Sequence, residues 1–155
     1  MQRSVTRTGV GKTLVLEDGR GFYGDLVEIA TGTKKRKETI NTLRGDLAEW
    51  MKNAHFNPIR GKMLDIGIVA YVNKQRMNMQ DVDNIAKVVL DSLKRPRNEK
   101  NETRWLFDDD AQVMRLIIQK IQQETINGVK TDQAFISFRE HDPEKQMILI
   151  SKSDF

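Results

Sequence analysis

One stripe of apolar residues constrains this chain more than any other feature. From Val82, apolar side chains recur at Ile85, Ala86, Val89, Leu90 and Leu93, the spacing that lines one face of a helix. Asp81 stands where an N-cap belongs, and Pro96 ends the helix. Asp83, Asn84, Lys87, Asp91 and Lys94 fall on the opposite face. Upstream, Lys62 to Asn73 is rich in apolar and β-branched residues bounded by polar ones, which predicts a strand. Residues 74–80 read as a polar connector between the two.

The rest of the chain supplies partners for this pair. Ile40, Leu43, Leu47, Trp50 and Met51 follow a helical period, so Glu38 to Asn53 is predicted as an amphipathic helix. Thr13–Leu16 and Phe22–Ile29 flank the turn dipeptide Asp18-Gly19, the pattern of a hairpin. Lys34-Lys35-Arg36-Lys37 reads as a solvated basic loop. Gln112 to Ile121 is compatible with strand or helix, its β-branched content favouring strand. Ala134–Phe138 and Met147–Ile150 are short strand candidates with Asp142-Pro143 as the turn between them. Together these predict one α+β domain over residues 1–155, a mixed sheet packed by helices in two layers.

Composition closes several routes. No cysteine is present, which excludes disulfides and thiolate metal sites, and the histidines are only His55 and His141. A metal, if bound, is then a hard cation held by oxygen. No apolar run is long enough to span a membrane, and the first residues lack the apolar stretch of a secretory signal. The net charge of +4 suits a polyanionic partner without requiring one. Gly9-Val10-Gly11-Lys12-Thr13 is a fragment of a phosphate-binding loop, but Thr6 occupies the position of its first glycine. Asp81-Val82-Asp83-Asn84 starts like a calcium loop and fails at Ile85 and Ala86, where a ligand and a glycine are needed.

Two acidic clusters remain: Asp81 and Asp83 at the start of the central helix, and Asp108-Asp109-Asp110 after the apolar Trp105-Leu106-Phe107. Capping explains the first and a solvated turn the second, if each is taken alone. Both abut elements that belong in the core, so both are held on rigid scaffold. Carboxylates brought together need a cation or a shared proton. Magnesium fits such a set, because it takes few carboxylates and keeps several waters. Lys87, four residues after Asp83, is either its ion-pair partner or a cation for a phosphate.

The stretch from Asp81-Val-Asp-Asn-Ile-Ala-Lys87 to Leu93, followed by Leu106-Phe-Asp-Asp-Asp110-Ala-Gln-Val113, resembles the RusA family of Holliday junction resolvases. The likeness covers roughly residues 62–121, and extends to the Glu38–Asn53 helix; residues 1–33 match poorly. It implies a small cytoplasmic endodeoxyribonuclease with Mg2+ as cofactor. By the same likeness the metal-binding aspartates fall on Asp81, Asp83 and Asp110, with Asp109 as a further acidic position, and the catalytic lysine falls on Lys87. Asp108 departs from the pattern, so the choice among the three consecutive aspartates stays open. The loop from Lys94 through Arg95, Arg97, Lys100 and Arg104 is longer than the family leads one to expect. It is read either as a DNA-backbone track, joined by Lys74 and Arg76, or as a solvated insertion. The implied reaction is symmetric cleavage of a four-way DNA junction by a homodimer, leaving 5′-phosphate ends. Two alternatives stand beside it: a magnesium nuclease for other branched or flapped DNA, and a non-enzymatic DNA-binding protein.

Overall fold

A nine-residue strand, β3 (Leu64–Val72), runs through the middle of the protein with every residue buried. The computed structural model describes residues 12–16, 18–26, 33–97, 104–123 and 132–151. Around β3 are β1 (Lys12–Leu16), β2 (Arg20–Leu26), α1 (Thr33–Ala54), α2 (Lys74–Met79), α3 (Val82–Leu93), β4 (Val113–Gln122), β5 (Asp132–Glu140) and β6 (Met147–Ser151). A short 3-10 turn at Asp110–Gln112 leads into β4. The main sheet has the order β2-β5-β3-β4, with β4 parallel to β3 and the other neighbours antiparallel. This is the mixed sheet of an α+β domain, as the sequence predicts.

The alternation of β3 sorts its side chains between two faces. Leu64, Ile66, Ile68, Ala70 and Val72 meet Leu43, Leu47 and Met51 of α1 and Ile85, Val88, Val89 and Leu93 of α3 in the main core. Val69 and Tyr71 point the other way, against Phe135, with Tyr23 and Ile121 beside them. Each fully buried Leu, Ile or Val contributes roughly 1.5–3 kcal/mol, so this shared core is what fixes α3 against the sheet. Asn73 opens α2 by accepting a hydrogen bond from the Arg76 amide at 2.9 Å. At the end of α1, His55 takes a left-handed conformation (φ 53°) and the Phe56 amide returns to the Met51 carbonyl.

Three expectations change. Residues 74–79 form a short helix rather than a connector, because Asn73 caps it. The basic run 34–37 lies in the first turns of α1, which starts at Thr33. The segments flanking Asp18-Gly19 turn but do not pair: β1 joins β6 in a separate ribbon, and β2 joins β5. The Leu16 carbonyl accepts from the Gly19 amide and Asp18 has φ 56°, so the turn itself is as expected. Residues 27–29 of that expectation lie outside the described residues.

Candidate active site

The central helix presents its polar face to a groove of about 410 Å3 lined by Asp83, Lys87, Asp91, Asp110 and the apolar floor of Ala86, Leu90, Leu116 and Ile118. Asp83 and Lys87 come from α3, and Asp110 from the turn that precedes β4. The two acidic motifs, 27 positions apart between Asp83 and Asp110, therefore meet the same groove.

Neither a side-chain cap nor an ion pair accounts for the first motif in place, although Asp83 does lie in the first turn of α3, where the helix dipole favours an acid. Asp81 occupies the N-cap position of α3, yet its side chain makes no capping hydrogen bond. Asp81, Asp83 and Lys87 are exposed, and Asp83 and Lys87 form no ion pair with each other or with any other described residue. A carboxylate and an ammonium held free on a rigid helix can meet a ligand without first breaking a bond.

The three consecutive aspartates have separate partners. Asp108 accepts from the Trp105 indole at 2.9 Å. Asp109 caps the 3-10 turn, accepting from the Ala111 amide. Asp110 accepts from Lys94 Nζ at 3.0 Å and lines the groove. The hydrogen bond to Asp110 raises the Lys94 ammonium above its usual range against the opposing effect of burial, with the charges of Asp110 and Asp91 adding to the rise.

The scaffold beneath is built from residues whose roles sequence reading missed. Gln112 is buried and its side chain makes four hydrogen bonds. Its Oε1 accepts from the Asp108 and Asp109 amides at 2.8 and 3.1 Å. Its Nε2 donates to the carbonyls of Ile59 and Lys62 at 3.0 and 2.9 Å. The acidic turn is thus fastened to the chain entering β3. The Leu106 amide donates to the Leu93 carbonyl, and the Arg95 amide to that of Phe107, which stitches the approach to the turn onto the end of α3. On the other side, Lys120 Nζ donates to the carbonyls of Met77 and Gln80, both at 2.8 Å, and so fixes the residue just before Asp81. The position of Gln112 inside the second motif is the one signal that could have marked it.

The predicted DNA-contacting residues divide. Lys74, Arg95, Arg97 and Arg104 are exposed, and Lys94 is half-buried at the groove. Arg95 lies over the Trp105 ring at 5.3 Å. Lys100 lies outside the described residues. Arg76 is a correction: it is 2% exposed and pairs with Asp132 at 3.0 Å. Burial pushes Arg76 down and Asp132 up, against their mutual attraction. Arg76 therefore anchors α2 to β5 and does not face a ligand.

By donor chemistry the groove suits a hard cation, since Asp83, Asp91 and Asp110 offer carboxylate oxygens. Among the described residues no three His, Cys, Asp or Glu side chains stand close enough together to hold a metal ion. Asp83 lies in the first turn of α3, while Asp110 is tied to Lys94, beyond the last.

No curated protein matches the chain closely enough to carry an argument. The family model for endodeoxyribonuclease RusA matches residues 33–131, from the start of α1 to the edge of β5 and across both motifs. That is well over half of the 155 residues, and the chain belongs to the RusA family of endodeoxyribonucleases.

Proposed function

We propose that this endonuclease resolves four-way DNA junctions by magnesium-dependent hydrolysis of phosphodiesters, acting as a homodimer and leaving 5′-phosphate ends. The observation that carries the reading is the shared groove, lined by Asp83, Lys87 and Asp110, in which Asp83 and Lys87 have no ion-pair partner among the described residues.

Asp81, Asp83 and Asp110 would hold the ion, through carboxylates that magnesium completes with water. When bound, the ion supplies charge neutralisation at the phosphate and makes a nearby water more acidic. Lys87 adds a fixed positive charge on the same helix face, placed to offset the charge that grows on the phosphate oxygens. Lys94 orients Asp110 through its hydrogen bond, and Gln112 holds the turn that carries it. The backbone that carries these groups is fixed by α3 and by the buried bonds of the turn, and it is the exposed side chains of the three aspartates that would close together around the ion. A four-way junction has approximate two-fold symmetry, and two symmetric nicks call for two symmetric sites.

The test compares a synthetic four-way junction with a flap and a linear duplex, each with magnesium and with EDTA. The expected result is magnesium-dependent paired nicking of the junction in preference to the others. Preferential cutting of the flap would move the substrate to other branched DNA, and no cutting of any DNA would remove the catalytic reading.

A further inference from the structure

A second groove, of about 430 Å3, adjoins the first. One wall is α1, with Arg36, Lys37 and Arg44; the other is the segment just beyond α3, with Lys94, Arg95 and Arg97. Among the described residues six cations line it with a single carboxylate, that of Asp91. Asp91 lines both grooves and is the link between them. It accepts from the Arg36 guanidinium, stands 3.5 Å from Lys94 Nζ, and offers its backbone carbonyl to Arg44 Nη2 at 3.1 Å. One carboxylate shared in this way leaves the groove strongly positive.

The basic wall of α1 is placed where it works against the helix. Lys34, Lys35, Arg36 and Lys37 occupy the first turns of α1, and the first turn contains no acidic residue. The N-terminus of a helix is its positive end, and each cation there costs roughly 0.3–1 kcal/mol. Helix stability alone therefore disfavours this arrangement, whereas an anion in the groove is attracted by the side chains and the helix end together. A DNA backbone is the anion that also reaches the neighbouring acidic groove. A concavity of about 840 Å3 between β2 and α1 lacks this character, since Asp18, Asp46 and Glu49 line it against Arg20 alone.

We propose that the groove between α1 and residues 94–97 binds the phosphate backbone of the DNA segment leading away from the acidic groove, with Arg36, Lys37 and Arg44 as its outer wall. This rests on the reading of the acidic groove as the cleavage site. Asp91 keeps Arg36 and Arg44 extended toward the place where the two grooves meet. Lys37 and Arg97 are both exposed, and they line this groove without lining the acidic one.

The full-length protein carrying Lys37→Glu and Arg97→Glu together tests this by junction binding in EDTA across a salt series. Lys52→Glu, an exposed change in the last turn of the same helix, is the control. The double variant is expected to lose about tenfold or more in affinity, and the slope of log affinity against log salt to shrink by about two, roughly one per lost phosphate contact. Lys52→Glu should change neither. Where charge reversal lowers the melting temperature, Lys37→Gln with Arg97→Gln replaces it and should shrink the slope by the same amount. Wild-type affinity and slope in a folded double variant would overturn the proposal, as would an equal loss in Lys52→Glu. Cleavage of the junction by wild type in magnesium is measured in parallel. If wild type fails to cut, the catalytic reading falls, while the EDTA binding comparison still decides this one.

Discussion

Lys94 Nζ donates to Asp110 Oδ2 at 3.0 Å, and so joins the end of α3 to the acidic turn before β4. The two residues are 16 positions apart, on either side of a polar segment. The bond sets which way Asp110 faces, and the same ammonium reaches Asp91 as well at 3.5 Å.

Removing that tie should affect rate more than stability. Asp110 is half exposed, and an exposed ion pair contributes at most about 1 kcal/mol. Lys94→Met is expected to lower the melting temperature only slightly. Cleavage at saturating junction DNA should fall about tenfold, the rate equivalent of about 1.4 kcal/mol in the barrier. Single-turnover kinetics beside thermal melting checks both halves, and an unchanged rate would show that Asp110 needs no such orientation.

Gln112 should behave in the opposite way. Its amide satisfies two backbone donors and two backbone acceptors in a buried place. Gln112→Ala strands these groups and is expected to cost about 2–3 kcal/mol, with activity falling as the turn loosens. Gln112→Glu should be worse, since an oxygen would then face the carbonyls of Ile59 and Lys62. Urea denaturation gives the comparison, and a Glu variant as stable as wild type would contradict the hydrogen-bond account.

Acid should act through Asp65, near the start of β3. Asp65 is wholly buried and accepts from Arg115, Arg139 and His141. Burial pushes its carboxyl up, but the hydrogen bonds from Arg115, His141 and Arg139 outweigh that and hold it at about 2. A carboxylate whose folded pKa is depressed stabilises the protein above its unfolded pKa, near 3.8, and loses that contribution as pH falls toward 2. The contribution is on the order of 2.5 kcal/mol. Asp65→Asn should therefore be least stable relative to wild type near neutral pH, and the gap should narrow between pH 4 and pH 2. A gap independent of pH over that window would show that charge is not what the cluster needs.

Much of this was legible in the residues because it rests on period and on local chemistry. The stripe from Val82 to Leu93 is the buried face of α3, and the apolar run after Lys62 is the fully buried β3. The two acidic motifs announce themselves by composition, and the structure places Asp83 and Asp110 on one groove. What the residues do not carry is partnership across the chain. Nothing local in Arg76 says that Asp132, 56 positions away, buries it. Asp108, Asp109 and Asp110 are chemically alike, and only Trp105, the turn and Lys94 tell them apart. The same holds for β1 and β2, whose turn is local but whose partners, β6 and β5, are not. The basic run at 34–37 reads as a loop by charge, and only the packing of α1 beside residues 94–97 puts Arg36 and Lys37 on one wall of a groove.

The central claim is that the polar face of α3 is the cleavage site, and Asp83→Asn tests it most directly. Asp83 is exposed and unpaired among the described residues, so the substitution should leave melting and junction binding in EDTA as in wild type. In magnesium, nicking of the four-way junction should fall by about a hundredfold or more, as expected when a group that acts on the transition state is removed. A folded Asp83→Asn protein that nicks the junction at the wild-type rate would contradict the account.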